Sequence, residues 1–318
     1  MSRMCCTTIL PPNLNIIEMS QLGLIIRNEY LTDVRSKSFW ISTFLVPVLM
    51  VAFGAVMGYL MAQSDSAMEM QDSIMPDHDK EMTPLQGVGL MMGIFLTLFI
   101  MMYGSQIFQK VKTEKTNRIV EILATCVPGR TMMLAKILAV GMVGLTQLLL
   151  WSILIGVLVF GILLLFPVEI PWDTLLSYDF IMAIVWGVLY FIGGYVFFGS
   201  LYAAGGAMTD KNNENQEYVA VLTLVLMSSF YIGMYAVDHG GSAFVRALNY
   251  IPLTSPTIGA VNAITHSSPI WESIASIFIL YLCAWMAMVF AGKIYKSSIL
   301  LKGKRFTPRD IITFLRSE

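Results

Sequence analysis

From Met132 to Phe166 the chain runs for 35 residues with Lys136 as its only charge. A run of this length buries poorly in a water-soluble domain, whereas a bilayer crossing needs roughly 20 apolar residues. It is too long for a perpendicular crossing and lacks the turn chemistry of a hairpin. We therefore expect one long, tilted span over about 132–166, with an interfacial end. Five further runs of the same character, at about 39–61, 85–108, 180–208, 218–237 and 271–295, predict an all-α polytopic membrane fold with six transmembrane helices. The composition, 56% hydrophobic and 13% charged, agrees, since a soluble domain has about 45–50% apolar and about 25% charged residues.

The segments between the runs define the rest. Residues 1–18 lack a basic stretch leading into an apolar core, so they do not form a signal peptide and are expected to be a disordered extension, with Met19 an alternative start to Met1. In 19–38, Leu22, Ile25 and Ile26 form an apolar face surrounded by Arg27, Glu29, Asp33, Arg35 and Lys37, which suits an interfacial elbow helix. Gly87, Gly89 and Gly93 in the second run permit close helix contact. The interval 238–269, broken by Gly240, Gly241, Pro252, Pro256 and Pro269, predicts re-entrant or interfacial helices before the last span. Residues 39–295 thus form the membrane domain and 296–318 a basic tail. Placing the amino terminus inside puts 18 of the 20 basic residues on the cytoplasmic side and only Lys80 and Arg246 outside. Both termini are then cytoplasmic in a multi-pass protein of the cytoplasmic (inner) membrane.

Several chemistries lack their parts. There is no GxxxxGK[ST] phosphate loop, no HExxH and no GxSxG. His78, His239 and His266 all fall in outside loops, so no imidazole reaches Ser105 at membrane depth. Cys5, Cys6, Cys126 and Cys283 have no disulfide or metal spacing. Every Asp and Glu falls in a loop, a tail or a span end, which leaves no carboxylate relay across the membrane. The polar groups at depth, including Gln106, Thr146, Gln147, Thr223, Ser228, Ser229, Tyr190, Tyr195, Tyr202, Tyr231 and Tyr235, are expected to bond between helices.

Thr113 to Lys136 is the charged exception between two apolar runs. Glu114 and Arg118 are four apart, and Ile119, Ile122 and Leu123 make one apolar stripe, which predicts a short interfacial helix stopped by Pro128 and Gly129. From spacing alone this is either a loop helix satisfying its own charges or a docking element for a partner.

The run EKTNRIVEILATCVPGRTMMLAKIL, with GLTQLLLW at Gly144–Trp151, closely resembles the permease subunits of type-2 ABC exporters, and within them the sodium-efflux permease branch. LIIRNEYLTDVRSKSFW at Leu24–Trp40, IPLTSPT at Ile251–Thr257 and AGKIYKSSILLKGKR at Ala291–Arg305 agree, so the resemblance extends from about Met19 to the carboxyl end. It implies a transporter subunit that is not itself an enzyme and carries no cofactor. ATP and Mg would sit on a separate ABC ATPase subunit, and the permease would pair as a homodimer or with a paralogous permease, surrounded by membrane lipid and with no nucleic acid. It further implies a coupling helix at about 112–126, with Glu114, Lys115, Arg118 and Glu121 as its exposed contacts. Members of that branch carry a substantial outer domain between spans one and two, where this chain has only 62–84. A non-transporting membrane scaffold or sensor that docks a cytoplasmic partner is the alternative reading.

Overall fold

The structure, a computed structural model, describes residues 14–37, 39–45, 47–48, 56, 83–115, 129–165, 177–209 and 216–300. Among them the helices with defined ends are α1 (Leu14–Val34), α2 (Pro84–Lys115), α3 (Gly129–Leu165), α4 (Tyr178–Met208), α5 (Gln216–His239), α6 (Ala243–Leu248), α7 (Ser255–Ile264) and α8 (Ile270–Leu300). No strand occurs among the described residues, so the fold is all-α there. Five stretches are long and apolar enough to cross a membrane: Leu85–Glu114, Thr131–Leu154, Tyr178–Met208, Glu217–His239 and Ile270–Ser298. They fall on the second to sixth apolar runs. Of the first run, residues 39–45 and 47–48 are helical and most of the remainder lies outside the described residues, as do 62–82, 116–128 and 301–318.

Local chemistry sets the helix ends. Pro84 begins α2, where a missing N–H costs nothing. Ser177 caps α4 by accepting from the Phe180 N–H, and Asp179 in the first turn suits the positive end of the helix dipole. Pro11, Pro12 and Asn13 precede α1, a sequence that favours a helix start. The helix accordingly begins at Leu14, ahead of the boundary expected at Met19. The 37-residue α3 is unbroken, about 55 Å at 1.5 Å per residue, in keeping with the absence of turn residues.

The chain divides into two compact units. In the first (Met1–Glu29, Pro84–Gly141 and Pro171–Glu318), α4 packs against α2 and α8, while α7 fits among α2, α4, α5 and α8. All ten residues of α7 are buried. Small residues make this possible: a Cβ at Gly194 would come within 2.6 Å of Pro256, and Gly89 and Gly93 lie against Thr265 and Val261. Gly206 approaches backbone itself, since a Cβ there would stand 2.6 Å from the Phe108 carbonyl oxygen. Hydrogen bonds tie the layers, Tyr195 Oη donating to the Ile137 carbonyl at 2.8 Å and Tyr190 Oη to that of Ser273 at 3.3 Å. Ser229 reaches the Leu253 carbonyl, but Ser228 bonds within its own helix and Tyr231 and Tyr235 are exposed, so only part of the expected interhelical set forms.

In the second unit (Tyr30–Thr83 and Met142–Ile170), Tyr30 Oη meets Thr146 Oγ1 at 2.9 Å and Trp151 Nε1 donates to the Thr43 carbonyl at 3.0 Å. Gln147 Nε2 reaches Ser42 Oγ at 3.5 Å, so Thr146 and Gln147 both bond across helices as expected. Leu145, Leu149, Ile153 and Val157 form an exposed row along α3, and Ile181, Val185, Val188 and Ile192 one along α4. Continuous apolar rows of this kind suit hydrocarbon as their solvent.

A charged cluster where helix α2 ends

Lys136 is buried to 3% exposure, and an ammonium there must be paired or neutral. Its Nζ donates to Glu29 Oε1 at 3.3 Å and to Glu114 Oε1. Lys110, one helical turn before Glu114 on α2, donates to Glu29 Oε2 at 3.1 Å. The second oxygen of Glu114 accepts from Tyr295 Oη of α8 at 3.2 Å. Among the described residues, two ammonium groups, two carboxylates and one phenol therefore join α1, α2, α3 and α8 in one network of balanced charge. Burial works to raise the Glu29 carboxyl, but Lys136 and Lys110 more than offset it and hold the group below its ordinary value.

The network sits where α2 runs out and α3 begins, with the charged stretch 116–128 between them. Both carboxylates are about four-fifths covered, so each carries a bond that water screens weakly. Glu114 and the first turns of α3 flank that stretch, and Lys136 and Tyr295 tie Glu114 to Glu29 on α1 and to α8.

The four residues expected to contact a partner are placed unequally. Glu114 was expected to be exposed; instead it turns inward to Lys136 and Tyr295. Lys115 is the last residue of α2, so residues 112–115 of the expected helix belong to the helix of the span, and the rest lies outside the described residues. Arg118 and Glu121 lie outside the described residues. Sequence reasoning missed Glu29, Lys110, Lys136 and Tyr295 as site residues. The available signal was Lys136 itself, the single charge in a long apolar run, which requires a partner.

Comparison with known proteins bears on what such a cluster serves. Residues 67–293 match the profile of a family described as ABC-2 family transporter protein. Over 248 residues the chain is 28% identical to the uncharacterized protein YhaP of Bacillus subtilis (strain 168), covering 73% of this chain and 56% of YhaP. The chain thus spans little more than half the length of that curated relative. No solved structure matches it.

Proposed function

The chain belongs to the ABC-2 family of transporter proteins, and from that premise we propose that it is the permease subunit of an ATP-driven exporter, energised by a separate ABC ATPase. It carries no phosphate loop of its own. In this reading six spans cross the cytoplasmic membrane with both termini inside. The permease pairs with a second copy or a paralogue, and residues 112–126 form the helix that docks the ATPase. Lys115, Arg118 and Glu121 make the contact, and Glu114 anchors the helix to the membrane domain. Residues 19–38 brace that anchor from the interface through Glu29.

The observation that carries the proposal is the Glu29–Lys136–Glu114–Tyr295 network. A solvated loop helix needs no buried ion network at its root, whereas a helix that transmits a partner's movement needs a rigid attachment to several spans. The test is reconstitution with the ATPase encoded nearest the gene. Lys115→Ala/Arg118→Ala/Glu121→Ala, which leaves the Glu114 anchor in place, should lower cargo-stimulated hydrolysis about tenfold while the spans stay folded. Unchanged stimulation and transport in the triple variant would sink the coupling role.

A further inference from the structure

The end of α8 opposite Tyr295 holds a second buried charge. Glu272, in the first turn of α8, is 1% exposed, and its two oxygens accept from Nε and Nη2 of Arg246 on α6, the former at 3.1 Å. Among the described residues the side-chain hydrogen bonds of Arg246 go to Glu272 alone, yet that side chain is 45% exposed. A guanidinium offers five N–H donors in a planar fork. The bonds to Glu272 occupy one edge. The other edge, formed by Nη1 and the remaining Nη2 hydrogen, has the spacing that grips a second oxyanion bidentately.

The surroundings indicate which oxyanion. Phe244, two positions before Arg246, and Ile270 and Trp271, just before Glu272, are exposed apolar side chains. Ile270 is also the first residue of a span, which sets this level at the junction of hydrocarbon and headgroups, where aromatic side chains gather. Phospholipid phosphates lie just beyond that junction. A guanidinium that merely extended towards water would need no buried carboxylate. Desolvating Glu272 is costly, and its return is a fork held in one orientation.

We propose that Arg246, fixed by Glu272, binds the phosphodiester of a membrane phospholipid whose upper chains rest on Phe244, Ile270 and Trp271. The site is independent of the coupling cluster and lies at the other end of α8, so its failure would leave the transport reading standing.

The test uses the purified full-length chain in detergent, offered phosphatidylglycerol or a phosphate-free galactosyl diacylglycerol of the same chain length, with bound lipid counted by native mass spectrometry. Wild type should retain the phospholipid about fivefold better, as one charge-assisted bidentate contact at an interface provides. Arg246→Lys, which keeps the charge and can still meet Glu272 but lacks the planar second edge, should lose most of that preference while the protein stays folded. The charge-balanced Arg246→Gln/Glu272→Gln should lose all of it, and should that variant misfold, the lysine variant decides alone. Equal retention of both lipids by wild type, or a preference that survives Arg246→Lys, overturns the proposal. So does a preference that about 10 mM inorganic phosphate removes, since the site would then read free phosphate and not lipid.

Discussion

Replacing Lys136 by methionine leaves Glu29 and Glu114 without the ammonium between them. Breaking a buried pair from one side typically costs about 3 kcal/mol, and the unfolding midpoint of the detergent-solubilised Lys136→Met protein should fall accordingly. Lys136→Met/Glu114→Gln should recover most of the loss, because Glu29 and Lys110 remain as a balanced pair. The pH dependence follows from Glu29, whose folded value lies below the ordinary 4.5. A carboxyl depressed on folding contributes stability above its unfolded value and loses it as pH falls through the folded one. Between pH 7 and 5 that contribution is fully present, so melting temperatures should show no change from this group over that range. Below 4.5 they should decline, and the decline should be shallower in Glu29→Gln. At this scale the sequence is read only halfway: Lys136 is conspicuous in its apolar run, but Glu29 stands 107 positions away and looks like any other charge on an interfacial helix. Glu272 was equally hidden, since an acidic residue in a first turn reads as a solvated cap and not as a group with 1% exposure.

Among the elements, α7 depends most on its neighbours. Its ten residues are buried, with Gly93, Gly194 and Gly233 of its neighbours lying against it and Gly89 against Thr265 just past its end. Gly206 governs the α2–α4 contact, and the carbonyl that faces it cannot rotate away as a side chain would. Gly206→Ala should destabilise the fold by about 2 kcal/mol, in the range for overpacking, whereas Gly87→Ala, with nothing within 4 Å, should be neutral or mildly stabilising in thermal melts. Helix existence was plain in the apolar runs, because a span of about 20 residues leaves little alternative. Contacts were less plain, since the run with Gly87, Gly89 and Gly93 reads the same whichever two of the three meet a partner. The inward turn of Glu114 was also invisible, because spacing places Lys110 and Glu114 on one face without saying what that face meets.

For the whole molecule, the proposed topology assigns Lys80 and Arg246 to one side of the membrane and the tail to the other. Single cysteines at Lys80 and Lys302 in a cysteine-free background should react differently with an impermeant maleimide, the first in intact cells and the second only after permeabilisation. Labelling of both in intact cells would refute six spans with both termini inside. The enclosure of α7 also bears on how the chain is made. Translation delivers α7 before α8, yet Ser255 Oγ meets Ser276 Oγ at 2.8 Å, and Ser276 donates in turn to the Asn249 carbonyl at 2.6 Å. Until α8 is in place those groups lack these partners, so α7 completes its polar contacts only with the last span. A chain stopped before Ile270 should therefore leave Ser255 and the Asn249 carbonyl without these bonds, and pulse-chase should show it degraded faster than the full-length protein.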